Sequence, residues 1–325
     1  MVSYCGIAGV RSTEQSVAYT VCDTTYRTGI YCGIIGTGEE CTMIKVKEQI
    51  LRELQQNIGN PISGQNLADR YGVSRNAIWK AVNSLKSEGY PILSDRKRGY
   101  YLRESSDLIS EDSIRSGFPE DMFLPDGSCR VRICLFRKID STNLEAQRMI
   151  ADGFSGAALI IGERQTQGRG HNGSGFYSPA STGLYMTLLL PLNLILTKFQ
   201  LVSRAAAVAA VEAVRELTGR SLQIRKVNDL YDGSHKIGGI LCEATSTDLE
   251  SGKLQEVCIG IGLNLTTSIF PEKTPVQYAS IGGGCTRSQL AANITARLMH
   301  TDFEHPDDFL QKYREHHLGD EDTPE

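Results

Sequence analysis

The sequence predicts a two-domain α+β chain, with a small helical module closed by a β-hairpin followed by a larger domain on a mixed sheet. Between Met43 and Leu102, apolar residues recur at helical spacing in three runs and then give way to two short strands. Beyond about residue 128, strand-like apolar runs alternate irregularly with helical ones. Charge divides along the same line: Met43 to Arg103 holds 11 Lys and Arg against 5 Asp and Glu, or +6, which leaves −10 for the rest of a chain whose net charge is −4. A basic module on an acidic chain points to phosphates as its partner.

In the small module, Val46, Ile50, Leu51 and Leu54 mark a first helix that Gly59-Asn60-Pro61 stops. Ser63 caps a second helix through Leu67 and Ala68, and Gly72 breaks it. Ser74 caps a third, with Ala77, Ile78, Ala81, Val82 and Leu85 on its apolar side. Ile92–Ser94 and Tyr100–Leu102 read as strands around the basic tip Asp95-Arg96-Lys97-Arg98-Gly99. This is a winged helix-turn-helix. Ser74, Arg75, Asn76 and Lys80 are its candidates for the major groove, and Arg96, Lys97 and Arg98 for phosphates or the minor groove. Trp79, next to Ile78 and three residues from Val82, is expected in the core.

Residues 1–42 contain no Lys and show no periodicity, so a poorly ordered extension is expected there, with Met43 as the candidate native start. The winged helix-turn-helix takes 43–103, a Ser-, Asp- and Glu-rich linker with at most one short helix takes 104–127, and the α+β domain takes 128–300. Its expected strands are 131–136, 157–162, 184–190, 236–243 and 254–265, its helices 143–151, 200–217 and 288–300, and 301–325 is expected to be a tail.

The longest apolar run, Leu184 to Leu196, is interrupted by Thr187, Pro191 and Asn193 and is too short for a membrane span, and the N-terminus lacks the pattern of a secretory signal. A cytoplasmic location is expected. The 9 cysteines include no C-x-x-C pair, which argues against a zinc site or a disulfide framework.

Gly162-Glu163-Arg164-Gln165-Thr166-Gln167-Gly168-Arg169-Gly170-His171-Asn172-Gly173-Ser174-Gly175 is a polar, glycine-rich loop in which arginine forks can grip phosphate or carboxylate. It has neither the G-K-[ST] of a P-loop nor G-x-G-x-x-G spacing. Asp140-Ser141-Thr142-Asn143, Val227-Asn228-Asp229, Lys236-Ile237-Gly238-Gly239-Ile240-Leu241 and Gly260-Ile261-Gly262-Leu263-Asn264 accompany it in order. As an ordered set these segments resemble the biotin–protein ligases, and the preceding winged helix resembles the subgroup that doubles as the biotin operon repressor.

The resemblance implies a class II synthetase-like catalytic domain that joins biotin and MgATP into biotinyl-5′-adenylate and passes the biotinyl group to a lysine of a biotin carboxyl carrier protein, an acetyl-CoA carboxylase subunit or its like. It also implies operator DNA as a partner and a homodimer when adenylate is bound. Ser141, Thr142, Asn143, Gln165, Gly168 and Gly238 are implied at the biotin pocket, with Arg169 and Lys236 as cations at the reacting carboxylate and α-phosphate. Gly170, His171, Arg225, Asn228, Asp229 and Asn264 are implied near ATP, with Asn228 and Asp229 also at Mg2+.

The chain departs from the family at His171 and Ser174, where further arginines are usual, and at Arg225-Lys226, where a Lys-Trp pair is usual. The family's small C-terminal barrel is expected to be absent. A biotin-sensing repressor impaired in catalysis is therefore the alternative reading, and a lipoate ligase or a nucleic-acid-binding structural protein are more distant rivals.

Overall fold

The computed structural model describes residues 17–19, 38–87, 90–102, 107–226, 228–248, 252–271 and 276–318. Helices α1 (Gly38–Gln56), α2 (Gly64–Tyr71) and α3 (Arg75–Ser87) enclose the small core. In it Ile50, Leu54, Leu67, Ile78, Val82 and Leu85 are fully buried. Ser63 Oγ accepts from Asn66 N, and Gly72 takes the left-handed conformation that ends α2. The wing pairs β2 (Ile92–Asp95) with β3 (Gly99–Leu102). Gly99 is demanded by its φ of 113° and by the Ile62 carbonyl, which a Cβ would meet at 2.0 Å.

The large domain carries an eight-stranded sheet in the order β1-β4-β5-β6-β10-β9-β8-β7. Its strands are β1 (Val17–Tyr19), β4 (Val131–Lys138), β5 (Ala157–Gly162), β6 (Gly183–Ile195), β7 (Gln223–Arg225), β8 (Asp229–Asp232), β9 (His235–Asp248) and β10 (Lys253–Asn264). Among the described strands, β4 and β5 pair in parallel and the other neighbours are antiparallel. The main core lies on one face, where α6 (Gln200–Thr218) and α7 (Arg287–Met299) cover Ile259, Ile261 and Leu263 of β10. On the other face, α5 (Thr142–Ala151) covers part of the sheet through Ala146 against Ile160, Leu189 and Cys258.

Several expectations change. Trp79 is not core: it is 54% exposed on α3, because Ile78 and Val82 already fill the inward side of that turn. Residues 104–127 hold more than a linker, since Ile109, Ile114, Phe118 and Met122 join the main core and α4 (Glu111–Arg115) packs there. The tail contains α8 (Asp307–His316), whose Phe309 and Tyr313 are buried, and Gly319–Glu325 lies outside the described residues. Within 1–42, Val17–Tyr19 pairs with β4 and α1 begins upstream of Met43. Strand addition is a main-chain contact that needs no side-chain period, and extending a formed helix costs less than nucleating one.

A buried arginine ties three segments together. Arg287 at the start of α7 is 1% exposed and donates to Glu163 Oε2 at 2.7 Å and to Asp107 Oδ2 at 3.2 Å. Glu163 follows β5 directly, so the same ion cluster anchors the root of the glycine-rich loop.

Candidate functional site

The site is the part of the α5 face that the helix leaves open, and glycines define it. Gly260 and Gly262 of β10 point to this face. A Cβ on Gly260 would lie 2.3 Å from Asn143 Oδ1, and one on Gly262 would lie 2.6 Å from the Phe176 ring. Gly239, paired with Gly262, shares the face, and its Cβ would approach Asp229 Oδ1 at 3.4 Å and Lys236 Cε at 3.7 Å. The first turn of α5, the root of the loop, Asp229 and Lys236 therefore converge on one surface of the sheet.

Lys236 reaches that surface through a register shift. The pairs Asp229↔Gly239 and Leu230↔Gly238 are followed by Tyr231↔Lys236, an extra residue in β9. Such a bulge turns a side chain to the other face. Lys236 Nζ then donates to Asp229 Oδ1 at 2.6 Å, with side-chain exposures of 17% and 18%. Tyr278 bridges to Lys236 through the backbone and stacks on Phe270, and burial together with Asp229 pushes its hydroxyl above the usual tyrosine range.

Ser141 holds the N-cap position of α5, is 3% exposed, and makes no cap hydrogen bond with its hydroxyl. Capping alone does not account for it. Thr142 N and Oγ1 donate to Gln165 Oε1 at 2.9 and 3.2 Å, and Gln165 Nε2 donates to Ser178 Oγ at 3.0 Å. Asn143 is committed to the protein: Nδ2 donates to Glu243 Oε2 at 2.7 Å and to Leu241 O at 3.2 Å, while Oδ1 lies 2.6 Å from Thr187 Oγ1. It supports the pocket edge more than it lines it.

The loop is a narrow arm. Its neck closes through Phe176 N to Gly168 O at 2.8 Å and Gly170 N to Ser174 O at 2.7 Å, with a short 3-10 turn, His171–Gly173, at the tip. Gly168 permits the neck, since a Cβ would meet the Phe176 carbonyl at 2.4 Å. Arg169 and His171 are exposed, and Arg169 has no ion pair among the described residues. The Ser174 hydroxyl donates to His171 O at 2.9 Å, bracing the arm. A cleft of about 750 Å3 opens beside the neck, lined by Gln165, Gly168, Phe176 and Tyr177 and reaching Ser87 of α3. A cavity of about 690 Å3 between α6, α7 and α8 lies on the opposite side of the sheet and has no part in this constellation.

Four expected residues are used differently from the expectation. Gly238 faces the core, where a Cβ would meet the Gly262 carbonyl at 2.2 Å, so strand packing accounts for it. Arg225 lies 4.6 Å over the Tyr231 ring and donates to Gly233 O at 2.8 Å, an internal commitment. Asn228 Nδ2 donates to Ile240 O at 2.9 Å, while Asp229 Oδ1 already carries the Lys236 ammonium. That donor set does not make a metal cage, and no cluster of three or more His, Cys, Asp or Glu suited to a metal occurs among the described residues. Asn264 is 2% exposed on the open-face register of β10, and its Oδ1 is buried without a hydrogen-bond partner among the described residues. Val227 lies outside the described residues, and the departing Lys226 takes a φ of 53° with its carbonyl accepting from Tyr313 Oη at 3.1 Å.

Sequence reasoning missed Phe176, Thr187, Glu243 and Tyr278. Thr187 alone left a signal, as a hydroxyl inside an apolar strand.

In the small module, Arg75, Asn76, Trp79 and Lys80 are exposed together along α3. Ser74 Oγ accepts from Ala77 N at 3.2 Å, which spends it on capping. At the wing, Asp95 Oδ1 accepts from Lys97 N and Arg98 N at 2.8 and 2.9 Å, which shapes the turn and leaves Arg96, Lys97 and Arg98 exposed.

A family model described as "HTH domain" matches residues 46–101, and one described as "Biotin/lipoate A/B protein ligase family" matches 135–264. The chain is 31% identical over 226 residues to the "Bifunctional ligase/repressor BirA" of Bacillus subtilis (strain 168), covering 69% of this chain and 67% of that protein. It is 30% identical over 240 residues to the Escherichia coli (strain K12) protein of the same name, covering 73% of this chain and 70% of that one. Among solved structures, the Leishmania major biotin protein ligase in complex with biotin aligns at a TM-score of 0.49 and 20% identity, over 60% of this chain and 86% of that one. No helix among the described residues is long and apolar enough to cross a membrane.

One consequence concerns acid stability. Arg148 clamps the Asp140 carboxylate with hydrogen bonds at 2.8 and 2.9 Å, and this holds the Asp140 carboxyl below its ordinary 3.8. A group whose pKa is depressed by folding stabilises the fold above its unfolded value, and that contribution drains away as pH falls through the folded value. Replacing Arg148 by Met should lower the melting temperature at pH 7 and narrow the gap from wild type below the ordinary carboxylate range. Thermal melts from pH 2 to 7 measure this, and a gap that widens in acid contradicts it.

Proposed function

The chain belongs to the family of bifunctional biotin–protein ligase/repressors, and from that membership we propose that it condenses biotin with ATP, transfers the biotinyl group to a carrier-protein lysine, and binds operator DNA. The observation that carries the reading is the convergence of Lys236, the root of the Arg169 arm and the Ser141-Thr142 turn on one glycine-cleared surface.

The biotin carboxylate attacks the α-phosphorus of ATP and pyrophosphate leaves. Two anions must meet, so cations are needed at the reacting centre. Lys236, held by Asp229 at 2.6 Å, supplies a positioned ammonium there. Arg169, free of ion pairs among the described residues, supplies a guanidinium when the glycine-rich arm folds over the ligands. Closure also keeps water from the acyl phosphate until the carrier lysine attacks its carbonyl and AMP departs. The ring of biotin packs near Phe176, with Ser141, Thr142 and Gln165 at its ureido edge. Asn264, on the open-face register of β10, is assigned to the nucleotide side of the site. Asn228 and Asp229 do not build a cage for magnesium, and no step is assigned to them through a metal.

At DNA, α3 enters the major groove and the wing contacts the backbone, with a two-fold dimer matching paired half-sites. Both activities belong in the cytoplasm, with ATP, carrier protein and DNA as partners. The alternative, a biotin-sensing repressor impaired in catalysis, is favoured by the Arg225 guanidinium being engaged by Gly233 O and the Tyr231 ring and by Ser174 bonding within the arm.

Biotin-dependent pyrophosphate release and labelling of a carrier domain separate the two readings. A ligase gives both, and Lys236→Met or Arg169→Ala slows pyrophosphate release by about 10²–10³-fold, the scale of losing one preorganised charge-stabilising group. Wild-type protein that binds biotin without releasing pyrophosphate supports the sensor.

Gel-shift titrations over a salt series test the DNA surface. Removing Lys97 should weaken binding alike across sequences and reduce the salt slope by about 1. An unchanged slope removes the wing from the interface.

A further inference from the structure

A chain of polar side chains crosses the site from Glu243 on β9 through Asn143, Thr187 and Thr142 to Gln165 and Ser178 at the neck of the arm. Thr187 is fully buried in β6, and the chain fits only because Gly260 leaves room for Asn143.

Its proton directions can be derived. Asn143 Nδ2 faces the Glu243 carboxylate and the Leu241 carbonyl, which only accept, so Asn143 Oδ1 faces Thr187 and must itself accept. Gln165 Oε1 faces the Thr142 N–H, which only donates. Thr187 carries one proton and gives it to Asn143 at 2.6 Å, so it has none for Thr142 Oγ1 at 2.8 Å. Thr142 then donates inward, to Thr187 or to Gln165, and keeps a lone pair for a donor outside the chain. Gln165, with its oxygen taken, gives one amide hydrogen to Ser178 and has a second unspent beside the cleft. An acceptor and a donor thus stand side by side.

Resting on the biotin reading above, we propose that Thr187 and Glu243 are positioning residues that leave Thr142 an acceptor toward the ligand, beside a Gln165 amide that the Thr142 N–H orients, and that this acceptor–donor pair selects a cyclic urea. A urea presents N–H and C=O on neighbouring atoms, the complement of that pair. A ring without N–H leaves the Thr142 lone pair unmet, which a buried site penalises.

Calorimetry of the full chain tests this with four ligands: biotin, the two biotins methylated at one or the other ureido nitrogen, and ATP. Wild type is expected to bind one methylated form about tenfold or more weakly than biotin, on the scale of one lost hydrogen bond in a desolvated site. Thr187→Val and Glu243→Leu should lose about tenfold in biotin affinity and little for that methylated ligand, so the preference collapses, while Thr187→Ser and Glu243→Gln, which keep the needed donor and acceptor, preserve it. ATP affinity should stay within about twofold in all of them, because the relay lies at the ureido edge.

Thr187→Val or Glu243→Leu protein that keeps the wild-type preference overturns the proposal. So does a parallel loss for biotin, methylated biotin and ATP, which marks a general packing defect. Wild type that fails to bind biotin sinks the functional reading and this inference together, whereas wild-type binding with indifferent variants sinks only the inference.

Discussion

A polar side chain laid against the middle of a buried sheet must have its hydrogen bonds met and its volume accommodated, and Asn143 satisfies both conditions through Gly260 and Glu243. The neighbouring Gly262 does for the Phe176 ring what Gly260 does for the amide. With side chains at either position, the first turn of α5 and the root of the arm would be lifted off the sheet, and the surface they share with Lys236 would be lost. The glycines of β10 thus let Asn143 and Phe176 lie against the sheet.

The opposite face shows why this works energetically. Ile259, Ile261 and Leu263 of the same strand are buried against α6 and α7, so one face carries the apolar burial while the other is free to be polar. The bulge in β9 extends this division of labour, bringing Lys236 to the polar face while Ile237 and Ile240 stay in the core. Arg287 adds a mechanical link from the root of the arm to Asp107, the first described residue after the wing. Breaking a buried ion pair of this kind costs about 3–5 kcal/mol, because the remaining charge is stranded.

The helix-turn-helix and wing could be read from the sequence because caps and breakers such as Ser63, Gly72 and Gly99 act over a few residues. The central strands were legible as apolar runs, and four of the ordered motifs supply side chains or glycines to one surface of the sheet. Trp79 was misplaced because its spacing from Ile78 and Val82 does not say which of the three the turn turns outward. β7 and β8 carry too few residues for a period to show, and α8 was hidden in a polar segment with its apolar contacts at Phe309 and Tyr313 alone. The Gly238 assignment failed for a different reason: in a K-x-G-G segment a bulge decides which glycine faces the ligand, and a bulge leaves no mark in residue types. Thr187 and Glu243 act across long sequence separations and are visible only once β6, β9 and α5 are assembled.

The central claim is that the glycine-rich arm and Lys236 serve one ligand pair on one surface. Calorimetric titration with biotin, alone and in the presence of MgATP, tests it most directly. The account predicts saturable 1:1 biotin binding that becomes tighter and slower to release when the nucleotide is present, as the arm closes over both. Biotin affinity and release that are indifferent to MgATP, or no binding of biotin at all, would contradict it.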